Sequence, residues 1–149
     1  AAKSIQLASN QVPYSMLNRR IEAQLVPYAL KNNLGIIAYS PMARGLLTGK
    51  YFEGSRLKAD DHRNEYFSRF SLERVEAMLN RLKPLAEEKQ VTLAQLVLRW
   101  TTLQKGISVV LAGARNATQA ISNAAAMSFS LSNEELLFIN REVDACTAP

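Results

Sequence analysis

The chain reads as an α/β protein built on a parallel sheet, and three observations lead there. Short apolar runs of strand length alternate with segments of helical spacing, in the order β-α-β-loop-α-α-β-α-α. The run GIIAY at Gly35–Tyr39 is apolar almost throughout, as a strand covered on both faces should be. Every strand-to-strand connection contains a helix, which suits a right-handed crossover.

The elements follow in order. A strand is expected at about Ser4–Ser9, leading into Asn10-Gln11 and ending by Pro13. Tyr14–Arg20 reads as an irregular turn. Glu22–Asn33 is predicted helical, with Leu25, Tyr28 and Ala29, and with them Val26, on the inward face. Pro27 means that this helix either kinks or starts there. Asn32-Asn33 and Gly35 stop it, and Gly35–Tyr39 is the second strand. Ser40–Phe70 is a long connection with Pro41, Gly45, Gly49, Gly54 and a charged tract, of the kind that carries function or mobility.

Ser71 caps the next helix, whose stripe is Val75, Met78, Leu79 and Leu82; Pro84 kinks or ends it. Thr92 and Gln95 have capping-box spacing ahead of Leu93, Leu96, Val97 and Trp100, with Trp100 a core residue. Lys105-Gly106 ends that helix, and Ile107–Leu111 is the third strand. A helix is expected at about Ala117–Met127, and a last one, opened by Ser132 with Glu135, at Asn133–Val143 with Leu136, Leu137 and Ile139 inward.

Size and composition narrow the function. The 149 residues amount to one domain, 1–149. Hydrophobic content of 48% with 21% charged residues is that of a globular protein. No run approaches the roughly eighteen apolar residues of a membrane span. AAKSIQLASN lacks the apolar centre of a secretory signal. The single Cys146 precludes an internal disulfide and fits a reducing compartment, so a cytoplasmic protein is expected. One Cys and one His do not make a structural zinc site, and no metal site is expected. The net charge of +5 suits anionic partners, but Arg19-Arg20, Lys50, Arg56 with Lys58, and Arg81 with Lys83 are scattered. No aromatic-basic strip joins them, so neither nucleic acid nor a membrane is expected as partner.

Val109–Asn123, VVLAGARNATQAISN, is the stretch with the most chemistry. Its apolar run stops at Ala112-Gly113, and Asn116 with Gln119 has the N-x-x-Q spacing of a capping box. A strand, a tight turn and a helix start leave unpartnered N–H groups beside the positive end of the helix dipole. A phosphate suits that place, with Arg115 as a bidentate partner. The same turn also occurs in α/β proteins that bind nothing there.

NQVPYSMLNR (Asn10–Arg19), AYSPMARGLLTGKY (Ala38–Tyr51) and AGARNATQAISN (Ala112–Asn123) together resemble three C-terminal signatures of the aldo-keto reductases. The resemblance covers nearly the whole chain in the correct order. It implies a partial TIM (β/α)8 barrel, about three parallel β/α units corresponding to the sixth to eighth. It also implies NADP (NADPH) held at the C-terminal mouth and a small-molecule carbonyl substrate in the full-length protein.

By this resemblance Gln11 binds the nicotinamide carboxamide and Tyr39 stacks on its ring. Ser40, Pro41, Met42, Gly45, Leu47 and Lys50 match the loop around the pyrophosphate. Gly113, Arg115, Gln119 and Asn123 match the part that holds the 2′-phosphate and adenine. Gly113-Ala114 stands where many members have Lys-Ser, and Ser122 where many have Glu. The family's catalytic Tyr, Lys, Asp and His match no residue here, so no catalytic residue is assigned and the isolated chain is expected to be inactive. His62 falls in the charged tract as a solvated residue. Two other readings remain: a cofactor-binding regulatory subunit of a channel, and a non-catalytic fragment that self-associates through its open sheet.

Overall fold

The computed structural model describes residues 7–54 and 57–148. Three strands, β1 (Ser9–Pro13), β2 (Gly35–Tyr39) and β3 (Ile107–Leu111), form one parallel sheet in that order. Helix α1 (Leu25–Lys31) joins β1 to β2. Between β2 and β3 lie α2 (Arg63–Phe67), α3 (Leu72–Glu88) and α4 (Leu93–Thr102). Helices α5 (Ala117–Ala124) and α6 (Asn133–Thr147) follow β3.

The first strand begins later than its composition suggests. Of the predicted Ser4–Ser9, residues 4–6 lie outside the described residues, and Leu7 and Ala8 precede the strand. Pairing sets the boundary: Ser9 aligns with Gly35 and Pro13 with Tyr39, so the ladder follows the length of β2. Pro13 has no N–H to give, and the N–H of Tyr14 donates to the Tyr39 carbonyl at 3.1 Å instead.

Helix α1 starts at Leu25 rather than Glu22, after a separate 3-10 turn at Arg20–Glu22. Pro27 thereby falls in the first turn, where a missing N–H breaks no bond. Val26 and Ala29 are buried, while Tyr28 points outward, contrary to the expected face. The buried face is turned onto the β3 entrance: a Cβ on Gly106 (φ +85°) would lie 2.9 Å from Val26 Cγ1. Only glycine meets both the backbone angle and the close approach there.

Parts of the long connection form regular turns and a short helix. The connection contains 3-10 turns over Ala43–Thr48 as well as α2, and it buries Ala43, Leu46, Leu47 and Phe67. Helix α3 does not end at Pro84; it runs on to Glu88. Pro84 cannot bond back along the helix, but Leu82, Leu85 and Ala86 are buried on either side of it and hold the turn in place. Helix α5 stops at Ala124, and a 3-10 turn at Ala125–Met127 completes the predicted segment. Helix α6 extends four residues past Val143, adding Cys146 to the buried set. Leu137 is 64% exposed, so it is not an inward residue as expected; Ile139 and Val143 are.

The main core lies between α3, α4 and α6, with Trp100 at its centre. Trp100 donates from Nε1 to Asn140 Oδ1 (2.8 Å) and stacks on Tyr14 at 6.1 Å. Tyr14 donates to Glu22 (2.6 Å), and Arg19 bridges Glu22 and Asp144. One network thus fastens the loop after β1 to both α4 and α6.

The sheet is covered on one face only. Ile36 and Ala38 are fully buried, while Tyr39, Val109 and Leu111 on the alternate positions are 39%, 47% and 42% exposed. Strands that line a closed barrel would carry apolar residues on this inner face. Among the described residues no helix is long and apolar enough to cross a membrane.

Burial first, and then Glu22, push the Tyr14 phenol far above its ordinary value of 10.0. A raised pKa of this kind leaves its stabilisation intact below the unfolded value and loses it as pH rises past that value. Urea titrations from about pH 9 to pH 11 should show stability falling, and less steeply in Tyr14→Phe, which has no phenolic proton to lose.

Candidate functional site

Parallel pairing puts the C-terminal ends of all three strands along one edge, and the segments that follow them gather there. A cavity of about 700 Å³ opens at this edge. Its walls are the segment after β2, the first turn of α4, and the turn after β3 with α5. Helix α4 runs directly into β3, so its N-terminus lies at the same end as the strand's C-terminus. Two helix N-termini therefore face one space, both favouring negative charge.

Nine of the twelve residues singled out from the sequence line this cavity: Ser40, Pro41, Met42, Gly45, Lys50, Gly113, Arg115, Gln119 and Asn123. Three lie elsewhere. Leu47 is fully buried in the core and supports its loop from beneath. Gln11 and Tyr39 sit on the open sheet face beside the cavity; Gln11 aligns with Ile37, and Tyr39 with Leu111, itself a lining residue. From β1 to β3 the order along the edge is Gln11, Tyr39, cavity. His62 is largely exposed, 3.8 Å from Asp61.

Sequence reasoning missed Arg44, Thr48, Thr92 and Ala94, which also line the space, as does Ser122, the position where many family members have Glu. Arg44 sits inside the AYSPMARGLLTGKY motif, but its conformation was not legible there. Ser40, Ala43, Arg44 and Gly45 have φ of 55°, 48°, 57° and 94°. Three non-glycine residues in the left-handed region so close together are strained, and such strain gathers at ligand sites. The Arg44 guanidinium lies 4.5 Å from the Tyr66 ring centre. Burial pushes the Tyr66 phenol up, opposed by the charges of Arg44 and Arg69. Tyr51 lies behind Gly45, where an added Cβ would come within 3.6 Å of its ring. Arg63 donates to the Tyr51 hydroxyl (2.6 Å) and to Asp61 (2.8 Å), holding the Asp61 carboxyl well below the usual range.

The turn after β3 is organised by α5 side chains. Asn116 Oδ1 accepts from the Gln119 N–H at 2.9 Å, the expected N-cap. The reciprocal half of the capping box is not formed. With Asn116 extended (φ −154°, ψ 169°), Gln119 Oε1 reaches one residue further back and accepts from the Arg115 N–H at 2.8 Å. Asn123 Nδ2 donates to the Gly113 carbonyl at 3.2 Å. Arg44, Lys50 and Arg115 give the lining three cations, and no carboxylate accompanies them among the described residues. Chemically the cavity suits an anionic ligand.

The aldo/keto reductase family model matches residues 1–143. A probable voltage-gated potassium channel subunit beta of rice is 34% identical over 130 residues, 78% of this chain and 37% of that protein. An L-glyceraldehyde 3-phosphate reductase of Escherichia coli is 34% identical over 93% of this chain and 42% of its own length. An NADH-specific methylglyoxal reductase of the same species is 30% identical over 91% and 41%. The fold matches a glycerol dehydrogenase of Gluconobacter oxydans with a TM-score of 0.88 at 28% identity, covering 99% of this chain and 46% of that one. The chain thus spans about two fifths of the length of these curated relatives, and its three β/α units are part of a TIM barrel.

The cap at Asn116 has a measurable consequence. Asn116→Ala should lower stability by about 1 kcal/mol in urea unfolding, whereas Asn116→Ser should stay within a few tenths of wild type.

Proposed function

Because this chain belongs to the aldo/keto reductase family, we propose that it is the cofactor-gripping portion of an NADP-dependent oxidoreductase that reduces aldehydes or ketones. The observation that supports this reading is the cavity itself: three cations, two helix N-termini and no carboxylate among its described lining residues. When bound, a nicotinamide cofactor supplies the hydride. In this reading Lys50 and Arg44, which line the cavity, hold the pyrophosphate, and Arg115 holds a phosphate on the adenosine. Tyr39 and Gln11, on the open face, orient the nicotinamide end. The proton donor that carbonyl reduction needs belongs to strands outside these three, so this chain by itself does not turn over.

Isothermal titration tests the reading. NADPH should bind at least about tenfold more tightly than NADH, and Arg115→Ala should remove most of that difference. Absence of heat with NADPH up to about 1 mM would overturn it, and equal affinities would remove the preference for NADP over NAD.

Two features favour further readings. The rice relative is named as a channel subunit, so a cofactor-sensing regulatory role is the second reading. The uncovered apolar face supports self-association of the isolated chain. Sedimentation velocity should then show dimers or larger species, and a well-behaved monomer would count against it.

A further inference from the structure

We propose that Gln95 is a positioning residue for the cavity, one that locks α5 and the phosphate turn against the first turn of α4. The inference rests on reading this space as a nucleotide site. Gln95 occupies the third position of α4, where a capping box needs only a side-chain oxygen. That oxygen accepts the Thr92 N–H at 2.8 Å. The side-chain nitrogen does something the box does not require: it donates to the Ser122 carbonyl at 3.0 Å, across to α5.

Helix α5 has little else to hold it. It buries no residue among those described, and its Ile121 is 71% exposed. Yet α5 carries Gln119, which fixes the Arg115 N–H, and Asn123, which fixes the Gly113 carbonyl. A tie at Ser122 is therefore passed on to the turn that bears Arg115. Thr92 and Ser122 both line the cavity, and one carboxamide, bonded to each, sets the spacing between them.

Gln95→Glu separates the two roles. A carboxylate keeps the cap oxygen but turns an oxygen toward the Ser122 carbonyl in place of the donor. Affinity for the probe 2′,5′-ADP should fall about tenfold, with the melting temperature within about 2 °C of wild type. Amide exchange over Ala117–Ala124 should quicken about tenfold or more. Gln95→Ala should show the same loss of affinity together with a lower melting temperature, because it also loses the cap. An affinity within about twofold of wild type in Gln95→Glu would overturn the proposal, even with faster exchange. If the wild-type chain does not bind 2′,5′-ADP at about 1 mM, the nucleotide reading is what has failed. Amide exchange then decides on the tie alone: faster exchange in Gln95→Glu supports it, and unchanged exchange overturns it.

Discussion

Parallel pairing of three short strands is the constraint from which the rest of the molecule follows. It sends every strand in the same direction, so each return must be made by a helix, and each strand's exit must lie on one edge. The Tyr14–Glu22–Arg19–Asp144 network secures the exit of β1, the 3-10 turns at Ala43–Thr48 form that of β2, and the α5 side chains arrange that of β3. A concave, positively charged space arises at this edge because the exits of β2 and β3 meet the first turn of α4 there, no one of which encloses it alone.

The two kinds of stabilisation are spatially separate. Beneath the edge, Trp100, Leu79, Leu82, Leu96 and Ile139 make a tightly enclosed apolar core. At the edge, the backbone departs from its preferred angles at Ser40, Ala43 and Arg44, and single hydrogen bonds from amide side chains hold the walls. The buried Leu46 and Leu47 oppose that strain by anchoring the loop in the core. Stability is thus drawn from one region to hold geometry in another.

Much of this was legible in the sequence, and the exceptions have physical reasons. Element type followed from periodicity: GIIAY is a strand, and the Thr92–Gln95 and Ser132–Glu135 boxes open helices with both reciprocal bonds formed. Boundaries were less legible because pairing and packing decide them. Leu7 and Ala8 extend a strand-like run, yet the ladder with β2 starts only at Ser9, and Pro84 stands inside a helix whose neighbours on both sides are buried. Motif resemblance located nine lining residues, but it carries no information on helix direction. Thr92 and Ala94 reach the cavity only because α4 runs opposite to β3. Periodicity alone also marks Leu137 and Tyr28 as inward, since it cannot tell where a helix face meets its neighbour.

Trp100 is the chain's single tryptophan, wholly enclosed, bonded to Asn140 on α6 and layered against Tyr14 from the loop after β1. Three segments far apart in the chain converge on one indole. Its emission colour therefore gauges whether they are docked together: a shift to the red reports their parting and the arrival of water. Rearrangements confined to the rim leave that colour as it was, so the fluorophore is a gauge of the foundation and blind to the doorway.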